Sequence, residues 1–377
     1  AAVVDAVNST SGNLKAGSYK QTATAITGDD ASNYSFAGVT TTDNNYVVNK
    51  LALTGAAITG VTTTYATAAD AGAVSFGNMQ NGDKVTSSAS IVDAATSTSG
   101  NLKAGSYKQT ATAITGDDAN NYSFAGITTT DSNYVVNKLA LTGTAIAGVT
   151  TTYATAADAG AVSFGNVQGS DKVASTAAVV DAVNSTSGNL KAGSYKQTAT
   201  AITGDDASNY SFAGVTTTDN NYVVNKLALT NAAIAGVTTT YATAADAGAV
   251  TFGNVQSGDK VNSSASIVDA TTSTSGNLKA GSYKQTATAI SGEDASNYSF
   301  AGVTTSDNNY VVNKLALTGT TISGVITTYA TAADAGAVSF GNVQLGDKVT
   351  SSASIVDAAT STSGNLKAGS YKQTATA

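Results

Sequence analysis

The chain has no cysteine, no proline and no tryptophan. It also has no histidine, no arginine among its 18 basic residues, and Glu293 as its sole glutamate. Each absence closes a route. Without cysteine there are no disulfide staples and no thiol chemistry. Without histidine and cysteine the usual nucleophile–base pairs cannot be assembled. A Ser–Lys arrangement remains formally open, but no Gly-x-Ser-x-Gly elbow occurs. The sequence therefore points away from an enzyme, with no catalytic residue and no cofactor expected. Charged residues are only 11% of the chain, with a net charge of −7. A basic face for nucleic acid is missing, and the mild acidity suits a soluble polymer. No apolar run approaches the length of a membrane span, so no membrane insertion is expected in this segment. No leader is recognisable at Ala1.

What is present is repetition. Leu-Ala-Leu-Thr recurs at Leu51, Leu139 and Leu227, with Leu-Ala-Leu-Thr again at Leu315. Asn-Leu-Lys-Ala-Gly-Ser-Tyr-Lys recurs at Asn13, Asn101, Asn189, Asn277 and Asn365. Both strings return every 88 residues. Three full repeats result, 51–138, 139–226 and 227–314, flanked by the back part of one copy (1–50) and the front part of another (315–377). Beginning and ending in mid-repeat is the pattern expected of a window on a longer polymer. Repeats 51–138 and 139–226 differ at 14 of 88 positions. Copies kept so alike share one task, and their number sets length or valency. A period this long can hold a core of its own, unlike the short coils of a solenoid.

Thr, Ser, Ala, Gly, Asn and Val dominate, and Thr and Val at this density disfavour helix and fit pleated strands. Within 139–226, Val149, Thr151 and Tyr153 alternate onto one face, as do Val162 and Phe164. Turn signals separate these stretches: Asp158-Ala-Gly, Gln168-Gly-Ser-Asp171, Ser185-Thr-Ser-Gly188, Gly204 to Asn209, and Thr218 to Asn221. The Ala-rich run Ala154–Ala161 could add one helical turn. The expected fold is all-β: a tandem array of β-sandwich domains, one per 88-residue repeat, forming an extended rod. Gln168-Gly-Ser-Asp171 reads as a hairpin tip, and its second position, occupied by Asn81, Gly169, Ser257 and Leu345 in the four copies, is expected to be exposed and without specific contacts. Tyr222 to Thr230 crosses a repeat boundary with no Gly or Pro, which predicts a strand shared by neighbouring domains and a stiff joint. At ~3.3 Å per strand residue the rod would be about 150–190 Å long.

Candidate sites are few. Asp117, Asp118, Asp205 and Asp206 sit in Gly-Asp-Asp-Ala turns, which could offer oxygens to calcium. The preferred reading of the same turns, with Asp29–Asp30 and Glu293–Asp294 at the equivalent places, is an Asx turn that starts the strand at Tyr122, with no metal bound. The aromatics Tyr65, Phe76, Tyr107, Tyr122, Phe124 and Tyr134 suggest core, with a sugar-binding row as the alternative. Phe76 and Phe124 are assigned to the core, whereas Tyr134 could pack between domains or meet a ligand. An isopeptide cross-link would require a buried acid beside a buried lysine.

Leu53-Thr54-Gly55, Ile58 to Tyr65, Gly82 to Val85, Ala104 to Lys108 and Ile114 to Phe124 together resemble the YDG and MBG-type repeats of large, filamentous-haemagglutinin-like bacterial surface adhesins. The resemblance spans every copy, although the Tyr-Asp-Gly string is replaced by Tyr65-Ala66-Thr67. It implies an extracellular location at the bacterial cell surface and a structural stalk that projects an adhesive region, in cell adhesion or biofilm formation. The alternative is that the repeats themselves bind polysaccharide, or self-associate with identical arrays as a matrix or fibre component. Neighbouring repeats of the same chain are the partners expected in either case.

Overall fold

The computed structural model describes residues 1–332 and 334–376. They form an all-β structure whose pattern of sheets repeats every 88 residues, without α-helix among the described residues. Repeat 51–138 shows the plan. Its strands are β1 (Leu51–Ala52), β2 (Ala57–Ile58), β3 (Val61–Thr64), β4 (Val74–Ser75), β5 (Ser90–Ile91), β6 (Gly105–Tyr107), β7 (Gln109–Ala111), β8 (Tyr122–Ser123), β9 (Ile127–Thr128) and β10 (Tyr134–Asn137). These strands are short because turn residues interrupt the β-branched runs every few positions.

Four small sheets result. β1 pairs with β8 in parallel, Leu51 opposite Tyr122. β2 and β4 form an antiparallel pair. β7 lies between β5 and β9, antiparallel to both. β10 lies between β6 and β3, antiparallel to β6 through Tyr107↔Tyr134 and parallel to β3 from Tyr134↔Val61 to Asn137↔Thr64. Repeat 227–314 has the same pairings at equivalent residues. The strand that carries the C-terminal end of the repeat is thus a central strand, bonded on both sides.

The boundary strand differs from expectation. Tyr134–Asn137 and Leu139–Ala140 are separate strands, interrupted at Lys138. The first pairs inside repeat 51–138, and the second pairs with Tyr210–Ser211 inside the next repeat. Each segment is claimed by its own sheet, so no single strand can be continuous across the joint. The helical turn considered at Ala154–Ala161 is also absent. The short 3-10 turns fall instead in the Gly-Asp-Asp-Ala segments, at Ala119–Asn121 and its equivalents.

Two apolar clusters recur. Leu53, Val85 and Tyr122 pack with Phe76, Ile114 and Phe124 inside the repeat. Phe76 and Phe124 meet edge-to-face at 5.3 Å and pack, partly buried, against this cluster at the margin of the core. The second cluster joins Tyr65, Tyr134 and Val136 to Tyr210 of the following repeat, with Leu102, Leu139, Leu141 and Val173 around them. Tyr134 is a packing residue: it is 2% exposed and donates its hydroxyl to the Ala69 carbonyl.

One glycine and one alanine show how tight the Ala-rich segment is. A Cβ on Gly72 would lie 1.8 Å from the Thr59 carbonyl oxygen, so only glycine fits there. Ala66 has φ 65 in a turn closed by Thr67 N–H to the Thr64 carbonyl at 2.9 Å. That left-handed conformation is unfavourable for a residue with a Cβ.

By internal contacts the chain divides into two compact units. One is Ala1–Val149, Asp158–Val180 and Tyr195–Tyr222; the other is Thr150–Ala157, Asp181–Ser194 and Val223–Ala377. The division runs through repeat 139–226 and not along a repeat boundary. Each unit contains contacts between successive repeats, which are the subject below.

Candidate functional site

The candidate site is the joint between successive repeats. It is built from three short segments. The end of β3 delivers Tyr65, and the polar turn after β5 delivers Ser97-Thr98-Ser99. The next repeat delivers Asp171, Asp206 and Tyr210. Tyr65 and Tyr210 are each 1% exposed, and their rings meet edge-to-face at 5.3 Å. The Tyr65 hydroxyl donates to Asp171 and lies 2.5 Å from Ser97 Oγ. The Tyr210 hydroxyl donates to Asp171 Oδ2 at 2.7 Å and accepts from the Gln168 amide at 2.9 Å. The Ser99 amide donates to Asp171 Oδ1 at 2.9 Å. One carboxylate therefore gathers two tyrosines and a backbone amide from two repeats.

Asp206 forms a second tie. It accepts from the Thr98 amide at 3.1 Å and from the Lys172 amide at 3.0 Å. A third is the amide of Ala104, which donates to Asn209 Oδ1 at 3.0 Å. The same three ties recur in the other unit. There Tyr153 and Tyr298 donate to Asp259 at 2.5 and 2.6 Å, Thr186 bonds Asp294, and Ala192 bonds Asn297 at 3.0 Å. They recur again from Thr10, Ser11 and Ala16 to Asp118, Asp83 and Asn121.

Burial pushes the Asp171 carboxyl up, but the hydrogen bonds from Tyr65, Tyr210 and Ser99 outweigh it and hold it at about 2. Asp83 is likewise held at about 2 against burial, by Ser11, Tyr122 and Ser9. The Tyr210 and Tyr298 hydroxyls are pushed up, first by burial and then by the neighbouring carboxylate. The joint is thus built for ionised aspartate and neutral tyrosine.

The variable position of the Gln-x-x-Asp turn is exposed as expected, at Asn81, Gly169, Ser257 and Leu345. The turn is not a hairpin tip, because Val162–Ser163 and Ala178–Val179 on either side of it pair with other strands, and Asp171, two residues beyond Gly169, is 9% exposed at the centre of the joint. The paired acids also separate. Asp118 and Asp206 turn inward and accept backbone N–H groups; the Lys84 amide and the Thr10 hydroxyl hold the Asp118 carboxyl low, and the Thr98 hydroxyl and the Lys172 amide do the same for Asp206. Asp117 and Asp205 stay at the surface, 3.6 and 3.7 Å from Lys84 and Lys172, with side chains more than two-thirds exposed on both sides of each pair. Such surface pairs contribute little, and they do not meet the burial that an isopeptide cross-link requires. Among the described residues, no group of three or more acidic side chains converges to hold a metal.

One residue escaped the sequence reading altogether. Gln109 is fully buried; its Oε1 accepts from Gly72 N at 2.6 Å and its Nε2 donates to Asn133 Oδ1 at 2.9 Å and to the Thr59 carbonyl at 3.1 Å. Every polar atom of the amide is satisfied, so it acts as a rigid bracket inside the repeat.

A surface groove of about 400 Å³ lies beside Lys138, lined by Thr200, Ile202, Ser208, Ser211 and Phe212. Its equivalent beside Lys226, also about 400 Å³, is lined by Thr288, Ile290, Ser296, Ser299 and Phe300. No protein family, curated protein or solved structure matches the chain.

Proposed function

We propose that the chain is a structural stalk: a stiff spacer, displayed outside a bacterial cell, that projects an adhesive region. The observation that carries this reading is the joint. Successive repeats are separated by Lys138 alone between two paired strands, and the Tyr–Asp–Tyr cluster with its flanking ties recurs from joint to joint. A flexible linker would carry Gly and Ser and make no such buried contacts. The adhesin-like strings and the tandem repeats support the extracellular setting. Chemistry in this chain would have to proceed without histidine or cysteine.

The test is length. Chains of two, three and four repeats should give maximum dimensions by small-angle scattering that rise linearly with repeat number. An increase of roughly 35 Å or more per repeat is expected from strand rise. Growth as the square root of repeat number would overturn the stalk reading.

A second reading has one observation in its favour, the groove that recurs beside Lys138 and Lys226 with a phenylalanine and three hydroxyls. An array of identical weak sites could hold a polysaccharide or an identical array. Retention on an immobilised polysaccharide should then climb steeply from two to four repeats through effective concentration, and Phe212→Ala with Phe300→Ala should abolish the climb. Equal, negligible retention at every length would leave the stalk as the sole reading.

A further inference from the structure

We infer that each repeat is a force-bearing element, in which β3 and β10 form a clamp loaded in shear when the chain is pulled from its ends. The inference deepens the stalk reading and takes its purpose from it, but the mechanics stand on strand direction alone. Tension entering at Leu51 reaches the amino end of β3 once β1 and β2 have been drawn taut. Tension leaving at Lys138 acts on the carboxyl end of β10. Because β3 and β10 run parallel, from Tyr134↔Val61 to Asn137↔Thr64, the two pulls point in opposite directions along neighbouring strands. The hydrogen bonds between them lie across the pull and must fail together. Flanking bonds extend the clamp at both ends, from Val61 N to the Asn133 carbonyl at 2.9 Å and from Tyr65 N to the Asn137 carbonyl at 2.8 Å.

Three further features hold the clamp. β10 is also bonded along its other edge to β6, so it cannot swing aside. Tyr134 and Val136 are buried beneath it. Tyr65, at the carboxyl end of β3, is pinned to Asp171 of the next repeat, so neighbours resist sliding at that end. Repeat 227–314 has the same arrangement, with Val237–Thr240 parallel to Tyr310–Asn313 and flanking bonds of 2.9 and 2.8 Å. An antiparallel pair joining the two ends would instead be peeled one bond at a time, at low force.

The chain has no native cysteine, so handles can be placed at will. Pulling the full chain by its two ends in a single-molecule instrument should give discrete high-force events. Each should release up to about 290–320 Å, the extended reach of one 88-residue repeat at ~3.3–3.6 Å per residue. Handles at Ala68→Cys and Lys138→Cys, both exposed and both just beyond the carboxyl ends of the two strands, turn the same pair from shear to peeling. Rupture between those handles should occur at severalfold lower force. The same variant pulled by its ends should reproduce the parent, which shows that it is folded. Ala244→Cys with Lys314→Cys repeats the comparison in the third full repeat. Equal forces in the two geometries, or low-force extension without discrete events, would overturn the clamp. Linear growth of length with repeat number would still stand in that case, so the two readings fail separately.

Discussion

Tyr65→Ala should uncouple repeat 51–138 from repeat 139–226 while leaving the strands of each in place. Tyr65 is 1% exposed, its ring packs against Tyr210, and its hydroxyl serves Asp171. Removing a buried aromatic of this kind costs about 3–5 kcal/mol. Asp171 would keep Tyr210 and Ser99 but lose one donor in a site where the charge is poorly solvated. Urea unfolding of the full chain should therefore shift to a lower midpoint and separate into two steps, since units that unfold together need an intact interface. Tyr65→Phe isolates the hydroxyl. It keeps the ring and removes one hydrogen bond to a charged group, a loss of about 1.5–3 kcal/mol. An alanine variant that melts with the parent midpoint and slope would mean that the joint is ornamental.

Acid should open the joints before it unfolds the repeats. The folded carboxyls of Asp171 and Asp83 lie at about 2, below the ordinary unfolded value of about 3.9. The unfolded state therefore binds protons more readily. The stability that these groups contribute is complete above about pH 4–5 and is lost as pH falls through 4 towards 2. Asp347 is held at about 2 by the Tyr241 hydroxyl and the Asp259 carboxyl is also lowered, so acid should weaken these joints in the same direction. Thermal midpoints should be flat from pH 5 to 7 and fall steeply below 4. Asp171→Asn removes that dependence at one joint. It should cost about 1–3 kcal/mol at pH 7, the price of leaving buried donors facing a weaker acceptor, and its deficit should shrink to nothing near pH 2. A deficit that stays constant from pH 7 to pH 2 would show that the carboxylate charge is not what the joint uses.

The strands and the core were the legible part of this sequence. Period-2 alternation placed Val149, Thr151 and Tyr153 on a single face, and the structure makes Val149–Thr152 a strand with Tyr153 buried at its end. The phenylalanines were assigned to the core on the same ground and are found packed against it, partly buried. The joint was not legible, because its hydrogen-bonded partners lie 72 to 108 residues apart and no local period links them. Asp171 lies two residues after a position that accepts Asn, Gly, Ser or Leu, in a turn read as a hairpin tip, and nothing in that local pattern points to a buried carboxylate. A usable signal was present beside it. Asp83, Asp171, Asp259 and Asp347 never vary, nor does the Ser-Thr-Ser triplet at 97–99 and its equivalents, in a chain where nearby positions do. Gln109 was missed for a different reason. A buried glutamine has no place in a pattern of apolar alternation, and only the carbonyl of Thr59 and the amides of Gly72 and Asn133 show why it can be there.

The one-residue joint at Lys138 has a consequence for inheritance. Strand pairing closes within each repeat, while the ties run to the next, and the groups on both sides of the aspartate and asparagine ties are the same from copy to copy. Excising 88 consecutive residues, starting anywhere, therefore rejoins a socket to a face that already fits it. The crossover point need not respect a domain border. Duplication works in the same way. Reach can then drift by whole steps from one lineage to the next without any generation passing through a misfolded intermediate length, and the small divergence between copies is what such repeated exchange would leave behind.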